Sequence, residues 1–165
     1  MQELAVLFAR DIETAAREIG MYPDDASLWK AVPGMPNTGG NLALHLAGNL
    51  RHFIGRIYAN TGYERDRPAE FASRDLSREE VAGLLRTAAS EVADALSKIS
   101  PEQLAADYPE KVAELVLPTR LFLTHLAVHL GFHLGQIDYH RRAVTGNSAS
   151  AGTTSLFELG ITPAA

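Results

Sequence analysis

Residues 118–144 read PTRLFLTHLAVHLGFHLGQIDYHRRAV, and this stretch decides the fold. Pro118 suits the first turn of a helix, where its missing N–H costs nothing and its φ is already helical. Gly146 and Asn147 mark the end, since both accept the left-handed conformation that closes a helix. Between them His125, His129, His133 and His140 follow at spacings of four, four and seven. At about 100° per residue, positions four or seven apart share a face. The four imidazoles therefore form one stripe on one long helix, beside its apolar face and directed toward a protein interior.

Three further helices precede this one. Leu4, Leu7, Phe8, Ile12, Ala15, Ala16 and Ile19 have helical spacing, and Gly20 ends their segment. Residues 21–38 carry Pro23, Pro33, Gly34 and Pro36 and read as a connector, with Leu28 and Trp29 folding back onto the core. A second helix is predicted from about Gly40 to Asn60, with Leu42, Leu46, Leu50, Phe53, Ile54 and Ile57 as its apolar stripe. Residues 61–76 are polar, contain Gly62 and Pro68, and read as a loop. Ser77-Arg78-Glu79-Glu80 fits a capping box and opens a third helix running to about Ile99. Ser100-Pro101 breaks the chain. Residues 101–117 hold at most a short helical turn, which Pro109 interrupts.

No internal repeat and no strand pattern is visible. The expectation is an all-α, four-helix bundle, with connectors too long for the simplest up-and-down arrangement. The domain spans 1–146. A tail, 147–165, follows, and its Leu156, Phe157, Leu159 and Ile161 suit a docked helical turn.

Composition narrows the function. Of 165 residues 46% are apolar and 21% charged, as in globular domains, and the length fits one domain. No apolar run reaches the roughly 18–20 residues of a membrane span. The N-terminus lacks a basic flank, so no secretory signal is expected, and the default location is cytoplasmic. The net charge is −5 with dispersed cations, which gives no footprint for nucleic acid. The chain has no cysteine, so a metal must be held by His, Asp, Glu or water, and thiol chemistry needs a thiol carried by a small molecule.

The histidines carry the chemistry. Imidazoles at i and i+4 can lean onto one ion, and a third from a neighbouring helix makes three ligands with a fourth position open, the pattern of catalytic zinc. Spacing allows either His125/His129 or His129/His133 as the arm. His45 and His52, seven apart on the second helix, share a face with Asn41 and Asn49. Imidazole suits zinc, nickel, copper and iron alike. In His129-Leu130-Gly131-Phe132-His133 a leucine stands where the zincin motif has its general base, which argues against a metalloprotease. Asn41, Asn49 and Gln136 are candidate hydrogen-bond partners of a ligand or substrate. Gly131 and Gly135 suggest close helix approach, at a dimer seam or beside a cleft. Tyr58 and Tyr139 read as packing residues. Arg51, Arg56, Arg120, Arg141 and Arg142 read mostly as solvated charges, and His52 and His140 as partly exposed polar residues.

Two segments resemble the DinB-like superfamily. Asn41-Leu-Ala-Leu-His45-Leu-Ala-Gly-Asn49-Leu is similar to its second-helix segment. His125-Leu-Ala-Val-His129-Leu-Gly-Phe-His133-Leu-Gly135-Gln136-Ile137 is similar to its fourth-helix signature, and the resemblance runs to about Arg142. It implies a four-helix bundle with a long crossover connection, usually a homodimer. It also implies a metal triad of His45, His129 and His133, with His125 a neighbour.

Relatives that the resemblance brings in include bacillithiol- and mycothiol-dependent S-transferases and a mycothiol-dependent maleylpyruvate isomerase. By that resemblance the chain is expected to bind one divalent ion, zinc or nickel, and to activate a low-molecular-weight thiol for attack on an electrophile. A hydrolase or isomerase using metal-activated water, and a non-catalytic, stress-related metal-binding dimer, are the competing expectations. Fold and triad alone do not choose among them.

Overall fold

The computed structural model describes residues 1–152 and 154–160; Ile161 lies outside the described residues. The fold is all-α, as the helical periodicities predict, and no strand occurs among the described residues. Helix α1 spans Gln2–Gly20 and α2 Asp25–Leu28. Helix α3, Gly39–Leu50, continues through a π-helical turn, Arg51–Gly55, into the short α4, Arg56–Tyr58. Then come α5 Arg67–Ala72, α6 Arg78–Lys98, α7 Pro101–Ala105 and α8 Thr119–Thr145, with a 3-10 turn at Leu156–Leu159.

Local chemistry sets most of these boundaries. The Ser77 hydroxyl accepts from the Glu80 N–H, and the Glu80 carboxylate accepts from the Ser77 N–H, which is the predicted capping box. Ser100 and Gln103 form a second such box at the start of α7. Gly146 closes α8 at φ 68°, a conformation that other side chains resist. Pro118 precedes the first residue of α8 instead of occupying it.

Two differences from the sequence reading matter. The second helix is not uniformly α-helical: the wider π turn carries Arg51 and His52, and π turns of this kind often mark functional sites. The supposed loop 61–76 contains α5, capped by Asp66, whose side chain accepts from the Ala69 N–H at 3.0 Å, with Pro68 in its first turn.

Helices α1 and α3 each pack against both α6 and α8, while α1 and α3 touch each other only slightly. The four long helices thus form a ring, and the connectors 21–38 and 99–118 join helices that are not neighbours in it. Phe8, Ile12, Ile19, Leu46, Leu50, Leu85, Leu123, Leu130 and Ile137 fill the centre. Burying each contributes roughly 1.5–3 kcal/mol. All of α3 is buried. Trp29 folds back over Gly40 in a space that any larger residue would fill, and its indole donates to the Leu76 carbonyl at 2.8 Å. No helix of the described residues is long and apolar enough to cross a membrane.

Arg141 is not a solvated charge. It is wholly buried and donates to Glu18 of α1, to Asp138, and to the Asn147 and Ala149 carbonyls. The tail is thus held by arginines: Arg142 donates to the Ser148 carbonyl, and Arg17 to the Ala151 carbonyl and to Glu158. The tail's helical turn, Leu156–Leu159, touches α1 with Leu159 half-buried, while Leu156 and Phe157 are 73% and 95% exposed.

Candidate metal centre

Helix periodicity brings His129 and His133 to one edge of α8, and the packing of α8 on α3 brings His45 against them. The Nε2 atom of His129 lies 3.3 Å from that of His45 and 3.1 Å from that of His133. One ligand atom from each of the three lies within 4.8 Å of the others. Nitrogens about 2.0–2.1 Å from a shared ion at tetrahedral angles sit roughly 3.3 Å apart. The cluster therefore has the dimensions of a three-imidazole site.

Proton accounting points the same way. His45 Nδ1 lies 2.9 Å from the Glu70 carboxylate, and His133 Nδ1 lies 2.6 Å from the Gln136 amide oxygen. The Arg65 guanidinium also lies 3.2 Å from His45 Nδ1, but its shorter bonds, 2.6 and 2.8 Å, go to Glu70. The carboxylate and the amide oxygen are acceptors, which assigns the proton to both Nδ1 atoms and leaves both Nε2 lone pairs inward. The three inward nitrogens then share at most one proton, that of His129. A cation at their centre satisfies all three lone pairs.

Glu70 is the site residue that the sequence reading missed. It sits on α5, is 6% exposed, and receives two hydrogen bonds from Arg65, at 2.6 and 2.8 Å. Burial alone would raise its pKa, but the hydrogen bonds from His45 and Arg65 and the guanidinium charge outweigh burial and hold the carboxyl below its ordinary value. Such a carboxylate orients a ligating histidine and raises its basicity. Two features of α3 admit it. Gly48 leaves room where a Cβ would collide with the Glu70 carboxylate. Asn41 donates to the Glu70 and Ser73 carbonyls at 2.9 and 3.3 Å. Asn41 thus anchors α5, and none of its hydrogen bonds goes to a histidine. The Asp66 cap with Pro68 was the available sign of a helix here.

The other candidates separate. Gln136 fixes the tautomer of His133. Asn49 is 7% exposed, and its amide oxygen has no partner. His125 is exposed and stacks on His129 with ring centroids 6.3 Å apart, outside the cluster. His52 packs edge-on against Phe53. His140 is 1% exposed, contrary to the partly exposed role expected of it. Its Nε2–H donates to the Lys30 carbonyl and its Nδ1 accepts from the Tyr22 hydroxyl, both at 2.8 Å, which ties the 21–38 connector to α8. Gly131 and Gly135 face open space, so no close approach among the described residues requires them.

Burial favours the neutral form of His129 and His133. Burial, then the neighbouring rings His133, His45 and His125, push His129 down to about 4. Burial lowers His133 as well, against the raising effect of Gln136. Neutral imidazole is the form that binds metal.

A family model described as DinB superfamily matches residues 8–137. The chain belongs to the DinB superfamily. The match includes all three clustered histidines, Glu70 and Gln136, and ends before the arginine-held tail. Comparison of this DinB-superfamily chain with curated proteins and with solved structures returns no significant match.

Proposed function

We propose that this DinB-superfamily protein is a divalent-metal-dependent S-transferase acting with a low-molecular-weight thiol of the bacillithiol or mycothiol type. The observation that carries the reading is the convergence of three imidazole nitrogens, two of them with their outer nitrogens committed to acceptors. Three protein ligands leave one position for a reactant. When bound, the ion supplies positive charge that favours the thiolate over the thiol. The absence of cysteine supports the reading, because no protein thiol competes for that position. His45, His129 and His133 hold the ion, zinc or nickel; Glu70 and Gln136 orient the rings. In the reaction the sulfur forms a bond to the electrophile, the electrophile's leaving group departs with its electron pair, and the thiol proton passes to solvent.

The test is elemental analysis of the purified protein beside His45→Ala and His129→Ala, followed by turnover of a model electrophile with bacillithiol, mycothiol or glutathione. One ion per chain, lost in both variants, and thiol-dependent turnover are expected. Full metal in both variants overturns the site. Turnover of esters without thiol overturns the transferase reading and favours activated water.

We also propose that the protein is a homodimer joined along α8. Leu121, Val128, Phe132 and Tyr139 are 59–71% exposed and follow at spacings of seven, four and seven, the pattern of a helix–helix seam. Gly131 and Gly135 beside them would admit a second helix. Phe132→Asp is expected to give a monomer by light scattering, and a wild-type monomer overturns the proposal.

A further inference from the structure

We infer that Asn49 is the hydrogen-bond acceptor that fixes His129 once an ion is bound; the inference rests on the metal reading above. Of the three clustered rings, only His129 has an outer nitrogen with no partner: its Nδ1 is buried and unpaired. If the His129 Nε2 lone pair goes to an ion, its ring proton must sit on Nδ1. A buried N–H with no acceptor costs about 1–3 kcal/mol.

The facing helix holds the complementary group. Asn49 is more than nine-tenths buried, and its Oδ1 is a buried acceptor with no partner. Two ring contacts set the register of the helices. The His45 ring lies 5.2 Å from those of both His129 and His133, and the Phe53 ring lies 5.2 Å from that of Phe122. Rising numbers after Leu44 thus meet falling numbers on α8. Asn49, midway between His45 and Phe53, falls opposite the turn of α8 that carries His125 and His129. One orphaned acceptor and one nitrogen that becomes an orphaned donor stand at the same level of one helix pair. Two other imidazoles stand near this level: His125 is exposed, and His52, whose Nδ1 is also buried and unpaired, packs edge-on against Phe53.

A positioning role differs from packing in what it moves. The test compares wild type, Asn49→Leu and Asn49→Asp, with zinc as the probe ion. Zinc affinity is read by chelator competition, and the His129 Nδ1 proton by NMR of the zinc-loaded protein. Wild type is expected to show a slowly exchanging Nδ1 proton. Asn49→Leu is expected to lose it, together with 10–100-fold in zinc affinity, while the metal-free protein stays as stable as wild type or becomes more so. Asn49→Asp, which keeps the acceptor, restores both signals. Equal zinc affinity in wild type and Asn49→Leu, or the Nδ1 proton persisting in Asn49→Leu, overturns the inference and leaves the triad standing. Loss of affinity in step with loss of metal-free stability assigns Asn49 to packing and also overturns it. A wild type that binds no zinc overturns the triad itself and the inference with it.

Discussion

Replacing Gly48 by alanine separates stability from metal affinity. Gly48 lies inside α3, three residues after His45, and an added Cβ would sit 2.9 Å from the Glu70 carboxyl carbon and closer still to Oε1. Ordinary contact begins at 3.4 Å, so the carboxyl carbon must retreat by about half an ångström and the oxygen by more. The crowded Oε1 accepts from Arg65 and the other oxygen, Oε2, lies 2.9 Å from His45 Nδ1, so moving the carboxylate disturbs both bonds, the His45 bond among them. Losing an outer partner of this kind typically weakens metal binding about 10–100-fold, roughly 1.4–2.7 kcal/mol. Helix propensity acts in the opposite direction, since alanine is favoured over glycine by about 1 kcal/mol in a helix interior. The expected result is a metal-free Gly48→Ala protein within about 1 kcal/mol of wild type in urea unfolding, with zinc affinity reduced by one to two orders of magnitude. Adding Glu70→Ala supplies the control: in that background Gly48→Ala has no further effect on affinity and stabilises the fold. An unchanged zinc affinity in Gly48→Ala would refute the reasoning, as would a crystal structure with the His45–Glu70 bond intact.

Acid should destabilise the metal-free protein through the buried rings. An unfolded histidine titrates near 6.5, whereas folded His129 is held down to about 4. Between those values the unfolded chain binds more protons, so stability falls as pH drops from 7 toward 4; urea midpoints across that range should show a shallower slope in His129→Leu. Arg141→Met would leave Glu18 buried without its cation and should cost about 3–5 kcal/mol. The pair Arg141→Met with Glu18→Leu should recover most of that in the same assay. Gln136→Leu should weaken zinc binding less than Glu70→Gln does, because Gln136 is exposed and water can take its place on His133; chelator competition ranks the two.

The histidine cluster was legible because ligands on one regular helix must obey its period: 129 and 133 share a face in any α-helix. The capping box at Ser77 was legible for the same reason, since it depends on residues three apart. Glu70 was not. It stands on a connector whose position is set by Asn41, Gly48 and Arg65, each distant in sequence or on another element, and local pattern carries no such information. Glycine shows the limit well. Gly48, Gly131 and Gly135 are alike in sequence, each an interior glycine in a helix beside the histidines. At Gly48 the space is filled by a carboxylate; at Gly131 and Gly135 it is open. Likewise His140 repeats the stripe of His129 and His133, yet its ring is spent on Tyr22 and Lys30, because the connector 21–38 covers that end of α8.

The three clustered rings differ in what stands behind them, and this grades them as ligands. His45 is backed by a carboxylate that is itself paired with Arg65, so the ring is oriented without an unpaired charge buried behind it. His133 is backed by a neutral amide at the protein surface. His129 has no partner among the described residues for its outer nitrogen, and burial with the neighbouring rings pushes it down to about 4. In the metal-free state the one proton shared by the inward nitrogens comes from His129, donated to His45 or to His133. With an ion bound to the His129 Nε2, that proton would sit on the outer nitrogen. The ring that has to change tautomer is thus the one whose outer side is still unpaired, whereas the two with committed partners already present their lone pairs. On the proposed metal reading, capture would need a single proton relocation on His129, and His45 and His133 would keep their hydrogen bonds.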